Sequence, residues 1–161
     1  MIGVETAAKI LNIQAPEVHF NPYTDFSNPY VSSVYLKSRN VIVFNEKWLE
    51  SANELEILTT CFHETRHAYQ CMVCELENIE NVRIKVWKKE LCNTIQPKGI
   101  LEEDISYLNQ DTEIDAIAFS KFMMKESFEL SISIPEVIKE KVLKRTKEIE
   151  GKLKEKFEKL R

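Results

Sequence analysis

The 161-residue chain is 43% hydrophobic and 30% charged, enough apolar side chain for one domain with its own core and no staple of disulfides. A net charge of −4 gives no general attraction to nucleic acid, and the three scattered glycines, Gly3, Gly99 and Gly151, cannot build a phosphate-cradling loop. The opening "MIGVETAAKILNIQ" lacks the pattern of a signal peptide and no apolar run reaches the length of a membrane span; a soluble, cytoplasmic protein with reduced thiols is expected.

In chain order, residues 4–14 read as a helix with Val4, Ala7, Ala8 and Leu11 on one side. Two Asn-Pro pairs mark 21–30 as a loop. Residues 31–45, "VSSVYLKSRNVIVFN", are β-branched and aromatic on either side of the turn-like "KSRN", a hairpin signal. From Ser51 the period becomes helical, with Leu55, Leu58, Phe62, Tyr69, Val73 and Leu76 on one stripe. Ser51 or Asn53 can cap this helix, and Glu54 and Glu56 suit its first turn. A further helix is expected over 80–93, around Val86, Trp87 and Leu91 and stopped by Pro97 and Gly99. Another runs from Thr112 to Phe128, apolar nearly all round, as in a helix enclosed by neighbours. Pro135 ends it, and 136–161 form one long charged helix. All four cysteines, including the "CMVC" pair Cys71 and Cys74, are expected as buried thiols.

The segment "CFHETRHAYQ", residues 61–70, carries the chemistry. On a helix His63 and His67 stand about 100° and 140° around from Phe62, off the core stripe. Their i, i+4 spacing stacks two imidazoles close enough to share one ion. Glu64 points to a neighbouring side, where it can take a proton from water without occupying a coordination position. Two His ligands and a carboxylate base are what a zinc hydrolase requires; two histidines on a solvated face are the plainer alternative.

A catalytic zinc takes a third protein ligand. His19 has no partner at ligand spacing and reads as a packed or surface residue. Cys71 and Cys74 share roughly a face with the histidines, but the four span about 16 Å of helix, too far for one ion. Glu113 is the better candidate: it opens the most buried helix, where a cation would offset the cost of a buried carboxylate. Ala116 and Ser120, on the same side, are small enough for the two helices to approach closely. Asp115 faces away and suits capping or support of the ligands. A helix-start acid that favours the dipole is the plainer account of Glu113.

"HETRH", the downstream "EIDAIAFSKFMM" and Pro135 together resemble the gluzincin metallopeptidases of the ImmA/IrrE type, over roughly residues 31–135. The resemblance implies Zn²⁺ on His63, His67 and Glu113, Glu64 as the general base, and a strand, here "NVIVFN", lining the substrate cleft. It departs at Arg66, where that family usually has Gly, at Ile117, where Asp or Asn often stands, and in the 46 positions from His67 to Glu113. Tyr107 is a candidate oxyanion donor; Arg66 points away.

The tail from 136 has ten Lys or Arg against six Glu, a local charge of +4. Ile138, Val142, Ile149, Leu153, Phe157 and Leu160 lie at helical spacing, so packing on the domain or self-association is expected ahead of nucleic-acid binding. The fold expected is α+β and zincin-like: mostly helical, with a small antiparallel sheet or hairpin packed before the HExxH helix, in one domain over 1–161. The expected function is intracellular zinc-dependent hydrolysis of a peptide or protein substrate. The alternative is a non-catalytic zincin-like module that presents its C-terminal helix to a protein partner.

Overall fold

The structure is a computed structural model that describes residues 1–26, 28, 30–76, 81–93, 95–98 and 103–160. Gly99, expected as part of a helix stop, and Arg161 lie outside the described residues, as does Glu80, the expected start of the Trp87 helix; the side chain of Leu160 is likewise not described.

The first helix, α1 (Ile2–Leu11), ends where Asn12 adopts a left-handed φ of 57°, a conformation Asn tolerates better than most residues. It buries Val4, Ala7, Ala8 and Leu11 as expected, with Ile10 beside them. Gly3 lies against α3 (Glu54–Glu75): a Cβ there would stand 2.9 Å from Cys61 Cβ, closer than two carbons can sit.

The expected hairpin is present as β2 (Ser33–Leu36) and β3 (Val41–Asn45), joined by a 3-10 turn over Lys37–Arg39 that Asn40 closes at φ 51°. The sheet is not purely antiparallel. A third strand, β1 (Glu17–Asn21), pairs parallel to β3, giving the order β1-β3-β2. All of β3 is buried, whereas β1 shows no alternation of buried and exposed positions, so its sequence carries no period-2 signal.

A short helix, α2 (Glu46–Leu49), follows β3 and leads into α3. Of the two cap candidates Asn53 acts: its side chain accepts from the Leu55 and Glu56 amides, and Glu56 accepts from the Asn53 amide, a full capping box. The α3 stripe is corrected at both ends. Leu55, in the first turn, and Leu76, at the C-cap, are exposed, while Phe62 and Val73 are buried and Leu58 and Tyr69 pack beside them.

The remaining helices are α4 (Val82–Cys92), α5 (Ile105–Leu108), α6 (Asp111–Phe128) and α7 (Lys139–Leu160). Trp87 anchors α4, but Val86 is exposed. Cys92 is exposed as well, against the expectation for all four thiols; it falls about 140° around the helix from Trp87, on the outer side. Helix α6 is enclosed, burying Ile114, Ala118, Phe119, Phe122, Met123 and Met124. The helix expected from 136 is preceded by a 3-10 turn over Glu136–Ile138; α7 packs its apolar stripe on α6 and α1, with Ile138 of the turn and Val142, Ile149 and Phe157 of the helix buried in the main core cluster. Helix α3 lies at the centre, against α6, α1, α4 and β2. The architecture is mostly helical α+β with a small mixed sheet. Among the described residues no helix is long and apolar enough to cross a membrane.

Candidate metal centre

The functional side chains converge because α3 and α6 lie in close contact. Ala116 and Ser120 are almost wholly buried, and Ser120 Oγ donates to the Thr59 carbonyl of α3 at 3.2 Å, an approach that large side chains would prevent. Glu113, in the first turn of α6, is thereby carried to the histidines two turns along α3. Its Oε2 lies 3.3 Å from His63 Nε2, its Oε1 lies 3.3 Å from His67 Nε2, and the two Nε2 atoms are 3.0 Å apart. Tetrahedral bonds of about 2.0–2.2 Å would set such donors about 3.3–3.6 Å apart. The two imidazole nitrogens stand within a few tenths of an ångström of that spacing, each with one of the two Glu113 oxygens beside it, and the group can hold a metal ion.

The electrostatics point the same way. Burial disfavours charge on His67, but the Glu113 carboxylate outweighs it and holds the imidazole up at about 9. Burial likewise opposes charge on Glu113, yet His67 and His63 keep its carboxyl well below the usual carboxylate range. The carboxylate thus already requires positive charge at its two oxygens. A divalent ion that displaced the proton from His67 would supply that charge.

The ring orientation of His67 is fixed from behind. Its Nδ1 meets Gln70 Oε1 at 2.8 Å, and Gln70 Nε2 donates to the Thr112 carbonyl at 2.9 Å and to Asp115 Oδ2 at 3.1 Å. Two acceptors at one end of the amide require the NH₂ there, which leaves the carbonyl oxygen for His67. His67 therefore carries its hydrogen on Nδ1 and turns an Nε2 lone pair toward the donor group when neutral. Asp115 stands behind the donor group, joined to His67 through Gln70, and is not part of that group. Arg66, which points away from the histidines, donates from Nε to Asp115 Oδ2 at 2.7 Å and lies over the Tyr69 ring.

Glu64 is buried on the cleft side of α3, and Ser33 Oγ of β2 donates to its Oε1 at 2.7 Å. The cleft, about 230 Å³, has Val31, Val34 and Tyr35 along one wall and Leu91, Ile95 and Pro97 along the other. The strand that lines it is β2, not "NVIVFN", because β3 is covered on both edges by its neighbours. Tyr107, from α5, also faces the cleft. Burial, then the charge of Glu113 and a hydrogen bond to it, push the phenol well above its ordinary value, so the hydroxyl keeps its proton at neutral pH.

The alternative ligands are elsewhere. His19 is exposed on β1, 3.4 Å from Glu17. Cys71 borders the cleft, but burial pushes its thiol up to about 11, and burial also raises Cys74. Neither belongs to the donor group, and among the described residues His63, His67 and Glu113 form the one cluster of three such side chains able to hold an ion.

Three supporting residues were not anticipated from sequence. Ser33 and Gln70 are described above. The third, Glu90 of α4, caps α6 from outside: its carboxylate accepts from the Asp111 and Thr112 amides at 2.9 Å each, while Gln110 at the N-cap position makes no side-chain cap. Gln70 had a readable signal, since i+3 from His67 places it on the same side of the helix; the other two had none. Comparison with protein-family models, curated proteins and solved structures finds no match to the chain.

Proposed function

We propose that the chain is a zinc-dependent peptidase of gluzincin type, with a zincin-like fold, that hydrolyses a peptide bond held in the cleft. The observation that carries this reading is the convergence of His63, His67 and Glu113 within reach of one ion, with the buried Glu64 lining the same cleft. Two imidazole nitrogens and one carboxylate oxygen suit Zn²⁺ and leave a position for a reactant, as in catalytic rather than structural zinc sites. When bound, the ion supplies a Lewis acid that acidifies water and polarises a carbonyl.

The chain's own groups do the rest. Ser33 donates to Oε1 of Glu64, which leaves Oε2 to accept the proton from water. The same carboxyl then passes that proton to the departing amine. Tyr107, still carrying its proton, would turn its O–H from Glu113 to the oxygen that gains charge. Among the described residues β2 is an edge strand, with no neighbour in the sheet on one side, so an extended peptide can pair along it beside Glu64.

A non-catalytic module that presents its C-terminal helix draws less support. Within the described part of the α7 stripe, Val142, Ile149 and Phe157 are already buried in the core and Leu153 packs against it, and Glu64 would have no task in such a module. The test is Glu64→Gln, which keeps size and hydrogen bonding but cannot accept the water's proton. It should retain stoichiometric zinc and lose peptide hydrolysis by about 10²–10⁴-fold. Undiminished hydrolysis by this variant overturns the reading. Because the substrate is a proposal at the level of class, a peptide library and an inactive-variant trap in cytoplasmic extract are the two sources of substrate.

A further inference from the structure

Behind the donor group lies a chain of hydrogen bonds that ends on the C-terminal helix. Arg145 of α7 is buried and donates from Nη1 to Asp115 Oδ1 at 2.9 Å and from Nη2 to Asp111 Oδ1 at 2.7 Å. Asp115 is 1% exposed and uses its other oxygen to accept from Gln70, whose carbonyl end meets His67. Every link is buried or nearly so, and each leaves its neighbour one orientation.

We propose that Arg145 is a positioning residue of the metal site: by fixing Asp115 it orients Gln70, and through Gln70 it sets the tautomer and direction of His67. The long basic helix is then a working part of the site as well as a packing element. Arg66 alone could hold the Asp115 carboxylate, gripping Oδ2 at 2.7 Å with a weaker contact to Oδ1 at 3.4 Å. A carboxylate gripped mainly through one oxygen can pivot about that contact. Arg145, bonding Oδ1 from the opposite helix, stops the pivot and leaves Oδ2 aimed at both Arg66 and Gln70.

Gln70 in turn has a choice of two amide orientations. The flipped one would place its NH₂ against His67 Nδ1 and its carbonyl against Thr112 O and Asp115 Oδ2, two acceptors. Such a flip would favour the His67 tautomer that carries its hydrogen on Nε2, where an ion would have to bind. A fixed Asp115 makes the flip unfavourable. Partners of this kind behind metal-binding histidines typically change metal affinity by about 10–100-fold.

The inference rests on the zinc reading of His63, His67 and Glu113, and a double-mutant cycle separates the two. Zinc affinity is measured by competition with a chromophoric chelator for the parent, Arg145→Met, Gln70→Met and the double variant. The fold should survive Arg145→Met, since Asp115 keeps Arg66, and Asp111 keeps Trp87 Nε1 at 2.8 Å and Arg83 at 3.8 Å. Arg145→Met should weaken zinc binding about tenfold in the parent and leave it unchanged when Gln70 is already Met. Unchanged affinity in Arg145→Met, or the same loss in both backgrounds, overturns the positioning role while the zinc reading stands. A parent that binds no zinc overturns that reading, and this one with it. If Arg145→Met does not fold, Arg145→Lys gives the decision by the same criteria, because one ammonium keeps the charge but cannot span Asp111 and Asp115.

Discussion

Ser33 and Glu64, thirty-one residues apart in the chain, meet at 2.7 Å with the serine hydroxyl donating to the carboxylate. One belongs to the edge strand and the other to the central helix, so the contact ties the strand that lines the cleft to the residue proposed as its base. Ser33→Ala should therefore slow peptide hydrolysis, by less than the loss from Glu64→Gln, while zinc content stays at the parent level. Steady-state kinetics beside metal analysis decide it. Loss of zinc in Ser33→Ala would mean that the contact serves the metal instead of the base.

The proton balance of the metal-free site gives a second expectation. Glu113 is held below its ordinary range, so its contribution to stability is present above about 4.5 and fades as pH falls through its lowered value. His67 is raised from 6.5 to about 9, so its contribution is complete below 6.5 and lost as pH rises through about 9. Both act in full between about pH 4.5 and 6.5. Urea unfolding with a chelator present should show stability falling from pH 6.5 to 9 by up to about 1.4 kcal/mol per pH unit, a slope absent from His67→Asn. The same slope in both proteins would assign the fall to other groups.

Glu90 gives a third. It satisfies two amides at the start of α6, the turn that carries Glu113. Glu90→Ala should destabilise the protein by about 1–2 kcal/mol, the usual cost of a lost helix cap, and should weaken zinc binding because Glu113 loses its fixed turn. Chemical denaturation and chelator competition measure the two effects. A stability loss with no change in zinc affinity would limit Glu90 to the fold.

What could be read from the sequence divides along physical lines. His63, Glu64 and His67 were legible because helical spacing alone sets their mutual geometry. Asn53 was legible as one of two local cap candidates and Glu56 as a first-turn acid, while the reciprocal bond that makes them a capping box is seen only in the structure. Glu113 stood out as an acid at the head of an enclosed helix. Ser33, Glu90 and Arg145 were not legible: their partners lie 31, 22 and 30 residues away, and no local pattern marks a polar residue whose purpose is set by packing. Strand β1 was hidden for a related reason, since it is held by its register with β3 and its own side chains show no alternating burial. The exposed Leu55 and Leu76 show the converse, where a period continues past the part of the helix that is covered.

The most direct measurement is anomalous diffraction at the zinc edge from crystals of the zinc-loaded protein. The account predicts one strong peak per chain, bonded at about 2.0–2.2 Å to His63 Nε2, His67 Nε2 and an oxygen of Glu113, with Gln70 still holding His67 Nδ1. No peak between α3 and α6, or a peak on Cys71 and Cys74 instead, would contradict it.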